Sequence, residues 1–310
     1  MHFSFHDLEN PYEVREDFPR PNWDAAAAWV DTHMADDYLD EAWTAIATAW
    51  LDLVRESLPQ HYAVMSSENF LMLSGYEPRQ VKQLLRTCEH CRSRILKLLP
   101  GVANESGFGP HVVLSFDEVE LYYAYISDFY PEEGHFGESA GMFIDRGYHH
   151  IAMNHTYDWY LSRVIAHETC HMLLSHLPLP MWLDEGVTQV IEDQVLEGSG
   201  FLMNGEILQK HRAYWNRETI QQFWSGDSFS AADEGQELSY SLAQVIVRNL
   251  VSDFPDKLSA IVGNAHYQDA GNAAFESAIE ETLGDQVELF LGEGDWQPRG
   301  DFLEPVTHPA

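Results

Sequence analysis

His167-Glu168-Thr169-Cys170-His171 carries the residue types and spacing of a hydrolytic metal site. Leu161, Val164, Ile165, Met172 and Leu173 recur around it at helical intervals, behind a cap at Thr156 or Asp158. On a helix, positions i and i+4 lie one turn apart on one face, so His167 and His171 can turn their imidazoles toward one ion. Glu168, beside the first ligand, is placed to take a proton from a metal-activated water. Two histidines do not complete a zinc site, and a third ligand is required. Pro178 and Pro180 stop the helix, because proline lacks an N–H and restricts the residue before it. The segment Met181-Trp182-Leu183-Asp184-Glu185-Gly186 follows, and a second helix-like run extends from Val187 to Leu196. A tight reversal brings Glu185 back to the two imidazoles. His167, His171 and Glu185 with one open position form a catalytic ligand set rather than a closed structural one.

His-Glu-x-x-His followed by Leu-Pro-x-Trp-Leu-x-Glu-Gly resembles the gluzincin metallopeptidases, specifically the peptidase MA-like domain with its thermolysin-like core. The likeness spans roughly residues 60 to 292. It takes in strand-like Gly141 to Asp145 and His150 to Asn154, then helical stretches around Leu238 to Leu250, Phe254 to Leu258 and Ala274 to Gly284. The resemblance implies an α+β fold, in which a zincin catalytic lobe precedes a mainly helical lobe with a cleft between them. It implies one zinc ion and a peptide or protein substrate. Glu168 would act as general base and Tyr240 as the donor to the oxyanion, with His211 and Tyr214 as lower-ranked alternatives. It also places Ile151 to Asn154 as the edge strand that pairs with substrate backbone, near His149, His150 and His155. Gln189 departs from the pattern, since relatives often carry an acid there; its amide oxygen could accept the second N–H of a ligand histidine. Asp184, Glu192 and Asp193 read as solvated or capping charges. Two other readings stay open: a non-catalytic zincin-fold protein that binds metal and partners, and a metal-dependent hydrolase of a non-peptide amide.

Composition narrows the classes. The 310 residues carry 50 acidic against 17 basic side chains, a formal net charge of −33. Nucleic-acid binding rests on lysine and arginine neutralising phosphate, so this balance argues against it and against acidic membrane surfaces. No apolar run reaches the length of a membrane span, and Met1 to Arg20 lacks the basic start and apolar core of a signal peptide. A cytoplasmic location is the expectation. Three cysteines argue against a disulfide framework; Cys88 and Cys91, spaced as Cys-x-x-Cys, read as reduced packing residues, as does Cys170.

Four segments are expected. Residues 1–58 form an irregular and helical N-terminal part, with two helices or one broken helix from Trp23 to Leu58. Residues 59–198 form the zincin lobe: a strand from His61 to Leu73, a helix to about Leu99, a strand from Val112 to Phe116, and an aromatic stretch from Asp117 to Tyr130 that is a cleft-lining helix or an insertion. Residues 199–295 are mainly helical. Residues 296–310 form a mobile tail. Oligomeric state is not legible.

Overall fold

Asn22 accepts the Ala25 N–H and starts helix α1 (Trp23–His33), and α2 (Leu39–Glu56) follows after a short break. The N-terminal helical segment is thus two helices. In α2, Ala42, Ile46, Ala47, Trp50, Leu51 and Val54 recur at one-turn spacing and are all buried. The structure, a computed structural model, describes residues 3–129, 139–154, 158–198, 200–231, 233–300 and 302. It is a mixed α+β chain, rich in helix with a small sheet. It divides into two compact units, one from Met1–Ser93 and Glu105–Met172, the other from Arg94–Asn104 and Leu173–His308.

In the first unit, β1 (Tyr12–Arg15) and β2 (Phe18–Pro21) form an antiparallel hairpin before α1. After α2 come β3 (Ala63–Ser66), β4 (Phe70–Ser74), α3 (Pro78–Leu98), β5 (His111–Ser115), α4 (Val119–Ser127), β6 (Gly141–Ile144), β7 (His150–Met153) and α5 (Asp158–Leu174). The run from His61 to Leu73, expected as one strand, is two antiparallel strands. Ser67 and Asn69 hydrogen bond to the Glu89 carboxylate and pin the turn between them. The sheet order is β3-β4-β5-β7-β6, with β4, β5 and β7 parallel and both outer strands antiparallel.

The N-terminal segment shares the sheet's core. Phe3, Phe5, Phe18 and Trp50 are buried in one cluster with Val112, Leu114, Tyr122 and Tyr125, and Phe18 meets the Tyr125 ring edge-on at 5.2 Å. Burial of each such side chain stabilises by about 1.5–3 kcal/mol. The aromatic stretch after Asp117 is therefore a helix, α4, whose Tyr122 and Tyr125 are spent on the core. Cys88, Cys91 and Cys170 are buried and form no disulfide, as expected of packing residues.

In the second unit, α6 (Met181–Val195) starts directly after Pro180. It is followed by α7 (Gly205–Tyr214), α8 (Thr219–Ser225), α9 (Gly235–Asp253), α10 (Leu258–Asn264), α11 (Asn272–Ile279) and α12 (Leu283–Leu291). Trp182 is buried, donates its indole N–H to the Ala270 carbonyl at 2.9 Å and packs on Phe223, Trp224 and Phe275. The tail expectation is corrected for 296–300 and 302: Trp224 and Gln221 donate to the carbonyls of Trp296 and Gln297, and the Phe302 N–H reaches the Gln268 carbonyl. These bonds seat the segment on the helices. Residue 301, residues 303–310, and the candidates His155 and Thr156 lie outside the described residues. Among the described residues no helix is long and apolar enough to cross a membrane.

Candidate metal centre

Helix α5 carries His167, Glu168 and His171, and α6 carries Glu185. His167 and His171 stand one turn apart, with their Nε2 atoms 3.1 Å apart. Two nitrogens bound to one zinc ion at ~2.0–2.1 Å and opened to a tetrahedral angle would be separated by about 3.3 Å, so the pair fits. A ligand atom from each of His167, His171 and Glu185 lies within 4.8 Å of the others, a grouping that could hold a metal ion. Only 4% of His171 and 1% of Glu185 is exposed. Removing a carboxylate this fully from water is costly, and a cation bound by it offsets that cost. Two imidazoles and one carboxylate suit a divalent transition metal such as zinc.

Glu168 is 5% exposed, and its Oε2 accepts the Phe143 backbone N–H at 2.7 Å. That bond holds the carboxylate in one orientation beside the ligand helix. It requires β6 to lie close to α5, and Gly141 permits this: a Cβ there would run into Val164 and stand 3.2 Å from the Glu168 Cγ. Asn154 fixes the start of the strand, its backbone N–H on the Ala140 carbonyl and its side chain on that of Ser139. Neither Gly141 nor the Phe143 amide stands out in the sequence; only the strand order reveals them.

The same order corrects the edge strand. Ile151 to Asn154 begins in β7, which is hydrogen bonded on both sides, to β5 and β6. Among the described residues the outer strand on this side of the sheet is β6, and the Phe143 N–H goes to Glu168. The nearby histidines have other employments. His149 pairs with Asp145 at 2.8 Å. His150 is buried between the Tyr148 carbonyl and the Tyr125 hydroxyl.

Glu185 is carried on a helix that packs closely on α9. A Cβ at Gly186 would stand 2.7 Å from the Ala243 carbonyl oxygen and 2.8 Å from Val247, so glycine is what lets the two helices approach. Gln189 donates its amide N–H to the carbonyls of Glu185 and Tyr240, at 3.3 and 3.2 Å. The residue expected to steady a ligand histidine thus ties α6 to α9. Tyr240 lies on α9, half-buried, with its ring edge-on to Phe229 at 5.1 Å.

His211 is corrected as an oxyanion candidate. It is buried; its Nδ1 accepts the Trp215 indole N–H at 3.0 Å, which leaves its Nε2–H for the Ser241 hydroxyl at 3.1 Å. Burial pushes its pKa down to about 4, so it is a neutral core histidine. The Trp four residues later was the readable signal. Tyr214 turns its hydroxyl to Asp233 at 3.3 Å. Asp193 is no solvated charge: it is buried, bonded to Arg248 and to the Gly200 N–H, and Glu192 beside it is buried too. No protein-family model matches this chain, and no curated protein matches it either.

Proposed function

We propose that the chain is a zinc-dependent metallopeptidase of the gluzincin type. The observation that carries this reading is the gathering of His167, His171 and Glu185 within 4.8 Å, next to a buried Glu168 held by the Phe143 amide. The two histidines and Glu185 would hold the ion, which supplies Lewis acidity toward a carbonyl and acidifies water. Glu168 takes a proton from the water that attacks the scissile carbonyl and passes it to the departing nitrogen, giving a carboxylic acid and an amine. The bond from Phe143 limits the carboxylate's rotation, so that the base meets the water in one orientation. Tyr240 serves as hydroxyl donor to the oxygen that gains charge.

The test is metal content of the purified protein together with cleavage of a peptide library by the wild type and by Glu168→Gln. Removal of a general base costs about 10²–10⁴ in rate. Near-stoichiometric zinc in both proteins, with cleavage lost in the variant, is the expected result. Equal cleavage by both proteins, or no metal bound after supplementation, would overturn the reading. Stoichiometric zinc without cleavage by either protein would favour a metal-binding interaction module.

A further inference from the structure

A cavity of about 240 Å³ opens in the first unit among β1, β2, α1, α2, α4 and the turn before β7. Its walls include Trp23, Trp50, Tyr125 and Phe129, with three arginines, Arg15, Arg20 and Arg146, at the same place. That concentration is unexpected in a chain with only 17 basic residues against 50 acidic ones.

The arginines are differently employed. Arg20 is locked: its guanidinium lies over Tyr125 at 4.4 Å and Phe129 at 4.8 Å, donates to the Tyr125 carbonyl and pairs with Asp128 at 3.1 Å. Arg15 shares Asp128 at 3.0 Å and meets the exposed Glu13 at 2.6 Å. Arg146 is exposed at the rim and has no ion-pair partner among the described residues. Among the described residues that line the cavity, three guanidinium groups against the carboxylates of Glu13 and Asp128 leave one positive charge. His150, in the wall, adds none, because burial pushes its pKa down to about 3.

Trp50, 2% exposed, lines the same cavity. The cavity therefore offers a guanidinium fork at its rim and flat apolar walls.

We propose that this cavity is a second binding site, for a small aromatic monocarboxylate about the size of benzoate. A cavity of about 150 Å³ already holds benzene, so the larger volume accommodates a ring with one carboxylate. The planar carboxylate matches the guanidinium fork of Arg146, and the ring lies against the aromatic walls. One net charge selects a monoanion; a dianion would leave excess negative charge in a molecule already at −33. The site is independent of the metal centre and of the peptidase reading.

Calorimetric titration of the full chain tests this, with a chelator present so that no metal competes for the carboxylate. Benzoate is expected to bind once per chain, and benzamide, with the same shape and no charge, is expected not to bind. Arg146→Gln should weaken benzoate by at least about tenfold, since it removes a charge-assisted bond, while Arg146→Lys keeps the charge and loses less. Arg146 is exposed and has no ion-pair partner among the described residues, so both variants should unfold at the wild-type denaturant midpoint. No saturable binding of benzoate, equal binding of benzamide, or an affinity indifferent to Arg146→Gln would each overturn the proposal. Tighter binding of phenyl phosphate than of benzoate would overturn the choice of a monoanion.

Discussion

Gly141 has no room for a side chain, because the space a methyl group needs is filled by Val164 and bordered by the side chain of Glu168. Gly141→Ala should therefore push β6 off α5. Overpacking of this kind costs about 1–3 kcal/mol. Phe143, two residues on, donates the N–H that orients Glu168, so the same shift should lengthen that bond. The expected outcome is a lower urea midpoint and reduced peptide cleavage with zinc stoichiometry unchanged, measured on one preparation. Loss of zinc with intact cleavage geometry would contradict this division of labour. The cluster of His167, His171 and Glu185 was legible in the sequence because i,i+4 spacing and a short proline-marked reversal are local facts. The groups that orient them were not. A backbone amide donor and a glycine that yields space depend on which strand lies beside the helix, and His211 looked available until its partners Trp215 and Ser241 were in view.

Between elements, α6 and α9 decide where Glu185 sits. Helix propensity alone favours alanine over glycine by about 1 kcal/mol, but at Gly186 a Cβ would stand 2.7 Å from a backbone carbonyl that cannot step aside. The contact wins. Gly186→Ala should destabilise by about 1–3 kcal/mol and loosen metal retention, since the displaced helix carries Glu185, the proposed third ligand. Gln189→Ala separates packing from support of the ligands. If the amide only ties the helices together, its loss costs about 1 kcal/mol and leaves zinc affinity alone. If zinc affinity falls by about 10–100-fold, the residue supports a ligand histidine after all. Strands and helices were largely readable from periodicity, including the helical run from Trp23 to Leu58, β5 and the long α3, while β7 was implied by the family resemblance. Their order in the sheet was not, because alternating apolar residues say that a strand is buried and not which neighbours it has. For that reason the edge passed from β7 to β6.

Across the whole molecule, each unit buries a histidine that cannot easily take a proton. Burial pushes His150 from its usual 6.5 down to about 3 and His211 down to about 4. His150 accepts from the Tyr125 hydroxyl and His211 from the Trp215 indole; an indole N–H cannot accept in return, so protonation of His211 would also break a buried hydrogen bond. In the unfolded chain both titrate near 6.5, and between that value and the folded pKa the unfolded state binds more protons. Stability must therefore fall as pH drops below about 6.5, by about 1 kcal/mol per pH unit for each histidine. Burial lowers His111 as well, against the pull of Glu105, and this adds in the same direction. The excess of acidic side chains opposes the trend only weakly. Exposed charges are screened beyond ~8 Å at physiological salt. Urea unfolding of chelator-treated protein at a series of pH values from about 7.5 to 5 measures the slope, free of any metal bound to His167 and His171. A combined slope of about 2 kcal/mol per unit or more is expected, reduced by about one in His211→Gln. Stability that stays level until the carboxylates begin to titrate near 4.5 would mean that these histidines are protonated in the folded chain.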